Sequence, residues 1–407
     1  MPTPLRLSLT RSLTASVCAL LLGITGCRRN SFPDVPEGYR EFAYISNGGS
    51  NTVSVLDLVY LRQDRTLQVG TNPTNLAANP VRNEIYVANT GSGTVSVIDA
   101  ESNMVAATMQ VHRQPMSIDV DPTGHRAYVA NSGSNTISVL DLDRRRQIAV
   151  AGTGEQPGVV RISPDGRSLV VTNRGSGSVS VFDVTPYVEK AKAEPAPRLR
   201  AAFSGCPGAG DAVILPDSSK AFVACTAGHQ VMAVSLSAAA GTWAAKQNPA
   251  LMTDKMLALL DVGKTPVHLA MKPDGGEIFV SNSESDSVSE ISTWTNEVGG
   301  TYPIGNKPVA GIVSRDNGTL WVANYGADAV AIYSIDDGRQ VGSVRAGSAP
   351  GALAFSADEH LLLAADAHSG DVAVIRTEGR PLPALFTIMP AGVSPNSIAV
   401  KAIQRQP

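Results

Sequence analysis

The polar and apolar positions of this chain follow one phrase that recurs along most of its length. Each copy has a Gly-x-x-Pro segment, a short alternating apolar run, a Pro-Asp-Gly or similar turn, a four-residue apolar run, an Asn-x-Gly-Ser loop and a Val-Ser-Val-x-Asp run. Alternation with period two, bounded by turn residues, predicts β-strands. The copies of the four-residue run are Tyr44–Asn47, Tyr86–Asn89, Tyr128–Asn131, Val170–Asn173, Phe222–Cys225, Phe279–Asn282, Trp321–Asn324 and Leu362–Ala365.

The spacing of these copies defines the repeating unit. Successive copies start 42, 42, 42, 52, 57, 42 and 41 residues apart. A period near 40 residues with several strands per unit is typical of propeller blades. In the second unit, Val95–Asp99 and Val105–Val111 supply a third and a fourth strand. The sequence therefore predicts an all-β fold, an eight-bladed β-propeller, with seven blades as the alternative.

The two ends of the chain are complementary. The first copy, at Tyr44, has no Gly-x-x-Pro strand in front of it, whereas Gly392–Val400 repeats that strand with no four-residue run after it. We therefore expect the segment from Gly392 to Ala402 to be the inner strand of blade 1. Its pairing there would close the ring and remove the exposed strand edges that invite aggregation.

These repeats resemble the YVTN family of β-propeller repeats, which is found in exported bacterial proteins and archaeal surface proteins. The resemblance covers nearly all of residues 41–401. It implies a propeller, and members of that family commonly have seven blades, so the count of eight copies is a departure. Two long spacers, 187–201 and 236–251, also depart from the pattern and fall between predicted third and fourth strands.

The N-terminal residues are typical of an export signal. Two arginines precede an apolar run over Leu13–Ile24, which is too short to span a bilayer. The run leads into Ile-Thr-Gly-Cys, which resembles the lipobox of bacterial lipoproteins, so Cys27 is the predicted acylation site. Ordinary cleavage that leaves Cys27 as a free thiol is the alternative. The predicted organisation is a signal peptide over 1–26, a linker over 27–40 and one propeller domain over 41–407.

Composition and charge narrow the function classes. Charged residues make up 17% of the chain and aromatic residues 5%, with 37 Gly and 26 Pro, which excludes a coiled coil and suits a turn-rich fold. The formal net charge is −3, so no nucleic-acid partner is expected. By resemblance to lipoproteins of diderm bacteria, Arg28 and Arg29 after the acylated Cys favour the periplasmic face of the outer membrane or the cell surface.

Export makes disulfide formation the default for paired thiols. Once the signal is removed and Cys27 is acylated, Cys206 and Cys225 remain. Cys225 replaces the Asn that ends the second strand in most copies, and that Asn is expected to brace the following turn. A two-residue insertion between Pro207 and Pro216 is expected to let the loop fold back. We predict a Cys206–Cys225 disulfide, with two separately buried thiols as the alternative.

Candidate ligand-binding residues come from aligning the predicted first strands at the top of the channel. Two residues after the Pro, Asp211 and His268 fall on adjacent blades, and two positions further Asp119 and Arg161 do the same. A carboxylate beside an imidazole can bind a metal or act as a general acid–base pair. Solvated or mutually neutralising channel residues are the alternative. The aligned column is Asn75, Ser117, Val159, Asp211, His268, Ala310, Ala352 and Ser397.

Two resemblances suggest alternative functions. The segment Asn173–Phe182 is similar to a blade motif of 6-phosphogluconolactonase-like propellers, in which an Arg such as Arg174 contributes to the site. That family's Pro-His phrase is absent, and a solvent-facing loop Arg is the alternative. Exported eight-bladed propellers also include the d1-haem domain of nitrite reductases, for which a histidine near a top loop would supply an axial ligand. The histidines near predicted top loops are His112, His229, His268 and His368.

We therefore predict a lipid-anchored, exported propeller that works as a binding scaffold for an unidentified protein or small-molecule ligand. It is expected to be a monomer held at the membrane by its lipid anchor. No cofactor, metal ligand or catalytic residue is predicted. A lactonase-like hydrolase with its site at the top of the channel and a tetrapyrrole-binding propeller are the alternative functions.

Overall fold

A computed structural model describes residues 35–184, 196–237, 253–378 and 383–404. The described chain forms eight antiparallel sheets of four strands each, and every sheet except the first is built from consecutive strands. The innermost strands of neighbouring sheets contact one another around a closed ring. The prediction of an eight-bladed β-propeller is confirmed, and the seven-bladed alternative is wrong.

The strands are numbered in chain order, blade by blade. Blades 1 to 4 contain β1 (Tyr39–Asn47), β2 (Thr52–Asp57), β3 (Arg62–Gln68); β4 (Pro73–Ala78), β5 (Glu84–Asn89), β6 (Thr94–Asp99), β7 (Met104–Gln110); β8 (Pro115–Val120), β9 (Arg126–Asn131), β10 (Thr136–Asp141), β11 (Arg146–Gly152); and β12 (Pro157–Ile162), β13 (Ser168–Asn173), β14 (Ser178–Asp183), β15 (Arg198–Ser204). Blades 5 to 8 contain β16 (Ala209–Ile214), β17 (Lys220–Cys225), β18 (Gln230–Ser235), β19 (Lys255–Asp261); β20 (Pro266–Met271), β21 (Glu277–Asn282), β22 (Ser287–Ser292), β23 (Glu297–Pro303); β24 (Pro308–Val313), β25 (Thr319–Asn324), β26 (Ala329–Ser334), β27 (Arg339–Arg345); and β28 (Pro350–Phe355), β29 (Leu361–Asp366), β30 (Asp371–Arg376), β31 (Ala384–Pro390), while β32 (Pro395–Gln404) completes blade 1.

Burial explains why the second and third strands of each blade are the most regular part of the repeat. In blade 2, β5 and β6 are buried along almost their whole length, because neighbouring blades cover both faces of the sheet. The outermost strand β7 alternates between exposed positions and positions that are partly or fully buried, since only one of its faces packs. Apolar side chains therefore fill the spaces between blades, such as that between blades 2 and 3.

The C-terminal strand closes the ring as predicted. Strand β32 pairs antiparallel with β1 in a register that runs from Tyr39 opposite Gln404 to Asn47 opposite Pro395. It also contacts the inner strands of blades 8 and 2. Blade 1 therefore combines the two ends of the propeller sequence.

The turns follow the chemistry of the repeat. In the Pro-Asp-Gly turn of blade 4, Gly166 has a φ of +71°, which favours glycine. At the opposite end of the blades, the Asn that ends the second strand braces the next turn. Asn89 Nδ2 donates to Thr94 Oγ1 at 3.1 Å and to Ser96 Oγ at 2.9 Å, as predicted for this position. Equivalent bonds are made by Asn47, Asn131, Asn173 and Asn282.

The predicted disulfide between Cys206 and Cys225 is confirmed, with the two Cα atoms 4.7 Å apart and both residues fully buried. The expected two-residue insertion inside the following strand is wrong. Ala209 pairs with Cys225 as Pro73 pairs with Asn89 in blade 2, so Ala209 takes the place of the Pro and β16 keeps the normal register.

The residues outside the described ranges include the predicted signal peptide, Cys27 and much of the two long spacers. The spacers fall between third and fourth strands, β14 to β15 and β18 to β19, as predicted, but the last four residues of the first spacer belong to β15. Within the described ranges the sole helix is a short 3₁₀ turn, Ser132–Ser134, and none is long and apolar enough to cross a membrane.

Candidate functional site

All the predicted candidate residues except Arg174 lie on the inner strands around the channel, where each strand has one edge without a strand partner. At the fourth position of an inner strand, the backbone N–H points away from its own blade. Leu76 N in blade 2, for example, donates to Ser397 Oγ of blade 1 at 3.3 Å. Buried backbone donors need such partners, because an unpaired one costs free energy.

The third position of each inner strand, which is the aligned column of the sequence, supplies these partners. Asn75 Oδ1 accepts the N–H of Ile118 in the next blade at 3.0 Å. The same relation joins Ser117 to Val160 at 3.5 Å, Asp211 to Leu269 at 3.1 Å, and His268 Nδ1 to Gly311 at 3.2 Å. Asn75, Ser117, Asp211 and His268 therefore act as side-chain clamps from one blade to the next.

The charged residues form one cluster on the wall made by blades 3 to 6. Asp211 Oδ1 accepts the Arg161 guanidinium at 3.3 Å and its neighbouring Ala212 N–H at 2.9 Å. Arg161 Nε also donates to the carbonyl of Ala212 at 3.1 Å. The carboxylate of Asp211 thus accepts two backbone N–H groups and one guanidinium, which leaves it charge-compensated.

Asp119 occupies the fifth position of blade 3. Its carboxylate accepts the N–H of Ile162 in blade 4 at 2.9 Å and that of Val120 at 3.0 Å. Burial raises the pKa of Asp119, and the nearby Arg161 charge opposes that shift. Arg161 itself donates to Asp211 on the next blade, so the structure pairs it with Asp211 rather than with Asp119, its partner in the sequence alignment.

His268 faces Asp211 across a gap. Its Nε2 lies 3.8 Å from Asp211 Oδ2, beyond hydrogen-bond distance, and 34% of its side chain is accessible from the channel. Because Gly311 N–H donates to Nδ1, the neutral ring carries its proton on Nε2. Burial lowers the pKa of His268, with Arg161 acting in the same direction and Asp211 against it. The imidazole is therefore held neutral, with its basic nitrogen occupied.

A metal ion would need further ligands at this point. Among the residues that the structure describes, no group of three or more His, Cys, Asp and Glu side chains is arranged to hold one. The Asp211–His268 pair alone supplies two groups, and Arg161 places a positive charge beside them. This geometry suits a charged hydrogen-bond network better than a metal centre.

Arg174 and the remaining candidate histidines lie away from the channel cluster. Arg174 is exposed on the top loop of blade 4. His229 Nδ1 accepts the N–H of Thr265 at 3.0 Å, and His368 Nε2 lies 2.9 Å from Tyr325 Oη. His112 lines a groove between blades 2 and 3. The structure therefore does not bring these histidines together.

The top face also carries shallow grooves between blades. A groove of about 730 Å³ lies between blades 8 and 1, lined by hydroxyl groups of Ser50, Thr66 and Ser369 and by the exposed side chains of His368 and Val393. Similar grooves occur between blades 2 and 3 and between blades 3 and 4. The grooves follow from the repeat, since each is bounded by the Gly-rich loops of two neighbouring units.

A buried acidic pair in blade 8 was not identified from the sequence. The predicted eighth copy, Leu362–Ala365, is displaced by one residue, because Asp366 pairs with Asp371 as Asn89 pairs with Thr94 in blade 2. Asp366 therefore replaces the bracing Asn, and Asp371 replaces the hydroxyl residue five positions later. Asp366 is fully buried, and a side chain at Gly347 would meet oxygen atoms of both carboxyl groups. Burial first, and then the hydrogen-bonded Asp371, raise the pKa of Asp366 to about 8. The signal that could have revealed the pair is this double replacement.

Comparison with known proteins identifies the family. The model of the family described as "Lactonase, 7-bladed beta-propeller" matches residues 42–289 and 289–380. The chain belongs to this lactonase family. This lactonase-family member nevertheless has eight blades, although the family description specifies seven. No curated protein sequence matches the chain.

Solved structures share the fold of this lactonase-family protein at low sequence identity. Dihydro-haem d1 dehydrogenase NirN in complex with DHE is similar with a TM-score of 0.69 and 14% identity, over 91% of this chain and 77% of that chain. A candidate 6-phosphogluconolactonase of Bacteroides uniformis ATCC 8492 is similar with a TM-score of 0.60 and 17% identity, over 90% of this chain and 100% of that chain. Hydrazine synthase of Kuenenia stuttgartiensis is similar with a TM-score of 0.53 and 21% identity, over 72% of this chain and 91% of that chain. These likenesses show the fold alone.

Proposed function

We propose that this protein is an exported, lipid-anchored propeller of YVTN-type repeats that binds a ligand at its channel without catalysing a reaction. One observation carries the proposal: the polar side chains expected to do chemistry in the channel are engaged in hydrogen bonds between blades. A group that already accepts hydrogen bonds at its basic atoms is poorly placed to take a proton from a substrate.

Asp211 and His268 illustrate this point. Asp211 accepts Leu269 N–H and Ala212 N–H in addition to Arg161, and His268 Nδ1 accepts Gly311 N–H. To act as a general base, neutral His268 would have to release Gly311 N–H from Nδ1, leaving a backbone N–H without a partner at a cost of about 1–3 kcal/mol. A structural role accounts for Asp211 and His268 in the channel, because both side chains hold neighbouring inner strands together.

The cellular location in this proposal rests on two features. The buried Cys206–Cys225 disulfide favours an oxidising compartment, where such bonds persist. The lipobox-like segment before Cys27 favours acylation, and several acyl chains would hold the protein at a membrane. A periplasmic or cell-surface position, with the membrane as the partner of the lipid anchor, follows from both features.

A lactonase-like hydrolase is the second candidate function. The family match and the fold shared with a candidate 6-phosphogluconolactonase favour it. The 3.8 Å separation of His268 Nε2 and Asp211 Oδ2 is also short enough for a small rearrangement to bring the two groups into contact. Tetrapyrrole binding is a weaker candidate, supported by the fold that the protein shares with NirN.

Lactone hydrolysis by the purified Cys27→Ser protein tests the proposal. We expect 6-phosphogluconolactone to be consumed at the rate of buffer alone, and Asp211→Asn and His268→Gln to lower the melting temperature without changing that rate. Enzymatic hydrolysis that both substitutions abolish would replace the scaffold with the hydrolase. A visible absorption band in the purified protein would instead favour a bound tetrapyrrole.

A further inference from the structure

The ring of side-chain clamps has a gap at two adjacent blades. The third position is Ala310 in blade 7 and Ala352 in blade 8, and an alanine side chain has no acceptor to offer. The fourth-position N–H groups that these residues would serve belong to Leu353 and Ile398. Within the described residues, neither N–H donates to any side chain or to a neighbouring blade.

The fourth-position N–H groups of the other six blades all have an acceptor. Those of blades 2, 3, 4, 6 and 7 bond the preceding blade's third residue. In blade 5, where the preceding residue is Val159, Ala212 N–H bonds Asp211 of its own strand. Val159 therefore leaves no gap, and the two fourth-position N–H groups that have no acceptor lie on neighbouring strands, β28 and β32.

The burial of the fourth-position residues also differs between the two blades without an acceptor and the other six. The fourth-position side chains of Leu353 and Ile398 are partly exposed, and in β28 every residue after Pro350 is partly exposed. In the six clamped blades the fourth-position residues are all buried, namely Leu76, Ile118, Val160, Ala212, Leu269 and Gly311.

Charge also differs between the two sides of the channel. The inner strands β24, β28 and β32 contain no Asp or Glu. The inner strands of blades 3 and 5 contain Asp119 and Asp211. Two unpartnered N–H donors on strands that carry no carboxylate suit a ligand that offers oxygen acceptors, such as a carboxylate.

We propose that the channel wall formed by β28 and β32, opened by Ala310 and Ala352, binds a small organic acid. Carboxylate oxygens accept the N–H groups of Leu353 and Ile398, and the apolar part of the ligand packs on the exposed faces of those two side chains. This inference rests on the proposed ligand-binding function and names the wall and the chemical class of the ligand.

The repeat itself supplies the test substitutions. Ala352→Asn places at the third position of blade 8 the residue that clamps Ile118 from blade 2, and it should occupy Ile398 N–H. Ala310→Asn should do the same for Leu353 N–H. Val159→Asn is the matched control, since the N–H that it faces already bonds Asp211.

Succinate serves as the probe, because it carries two carboxylates on a short apolar chain. Its neutral counterpart 1,4-butanediol is the ligand control. The full mature protein with Cys27→Ser, labelled with ¹⁵N-leucine and ¹⁵N-isoleucine, is titrated by NMR. We expect saturable shifts of the Leu353 and Ile398 amides with succinate alone. Apparent affinity should fall at least tenfold in Ala352→Asn and Ala310→Asn, and remain unchanged in Val159→Asn.

Three results would overturn the site: no shift at either amide, equal shifts with butanediol, or undiminished succinate binding in both Ala310→Asn and Ala352→Asn. The comparison of succinate with butanediol uses the unsubstituted channel, so it decides the question even if one variant fails to fold. Lactone hydrolysis is scored separately. Hydrolysis with succinate bound at these amides would overturn only the non-catalytic function, whereas an inactive protein without these shifts would overturn only this site.

Discussion

Asp211 shows how one side chain of the channel acts on three blades. It lies on blade 5, accepts Arg161 of blade 4 and Leu269 N–H of blade 6, and faces His268. Hydrogen bonds that involve a charged group are stronger than neutral ones and costly to break when buried. The residue therefore contributes to the order of the ring whether or not it touches a ligand.

Replacement of this carboxylate should destabilise the fold. Asp211→Ala leaves Leu269 N–H without its acceptor and removes the charged acceptor of Arg161, and we expect the free energy of unfolding to fall by about 1–3 kcal/mol. Urea denaturation measures the change. Arg174→Ala, on an exposed loop, is the control and should change stability by less than about 0.5 kcal/mol. Equal effects of the two substitutions would argue against the clamp.

The Asp366–Asp371 pair should make stability depend on pH. The pKa of Asp366 is raised to about 8 in the folded protein, whereas an unfolded Asp titrates near 4. Between these values the folded state keeps a proton that the unfolded chain has lost. Stability should therefore fall as the pH rises from about 4 to about 8, by up to about 1.4 kcal/mol per unit.

Asp366→Asn tests this dependence, because it restores the residue that braces the turn in other blades. Urea unfolding at pH 5, 6, 7 and 8 should give a flatter profile for the variant and a clear decline for the native protein. Asp336→Asn, on an exposed turn of blade 7, is the control and should keep the native profile. A native profile without decline would contradict the raised pKa of Asp366.

At the scale of the strand, the disulfide replaces the Asn brace of blade 5. Cys206 and Cys225 are 19 positions apart, and a loop of this size contributes about 3 kcal/mol by the chain-entropy estimate. Cys206→Ser together with Cys225→Ser should lower stability by about that amount. Mass spectrometry after alkylation without reduction should find neither Cys206 nor Cys225 alkylated in the native protein. Alkylation of both cysteines would exclude the bond.

Removal of the closing strand β32 should lower stability more than loss of the disulfide does. Truncation before Gly392 deletes β32, exposes the edge of β1 and breaks the ring between blades 8 and 2. We expect an insoluble protein or a large loss of stability, measured by expression in the soluble fraction and by thermal melting. Removing only residues 405–407, beyond β32, is the control. A truncated protein that melts within a degree or two of the native one would refute the closure.

At the scale of the whole molecule, the anchor decides where the propeller works. Acylation of Cys27 would join the membrane to β1 through a short connecting segment, because β1 begins at Tyr39. Cys27→Ser should move the protein from the membrane fraction to the soluble fraction, whereas a substitution at Arg28 that keeps the Cys should not. Immunoblotting of the two fractions measures this, and identical fractionation of the native and Cys27→Ser proteins would refute the anchor.

The architecture was predictable from the sequence because each blade repeats the same pattern of strands and turns. The eight copies of the repeat, the unpaired phrase at Gly392–Val400 and the Cys that replaces Asn at 225 each reflect local pattern or simple counting. Strand periodicity and turn chemistry act over a few residues, so they are visible in the chain without its partners. The aligned column even placed Asp211 at its correct position, although the assumed insertion was wrong.

The use of the channel residues was decided only by the tertiary structure. Sequence alignment placed Asn75, Asp211 and His268 at one level, but their partners are backbone N–H groups of the next blade, about 43 to 58 residues further along the chain. The effect of Ala310 and Ala352 likewise depends on the neighbouring blade. An apolar residue in a column of acceptors becomes an opening only when the ring brings the unpartnered N–H of the neighbouring strand beside it.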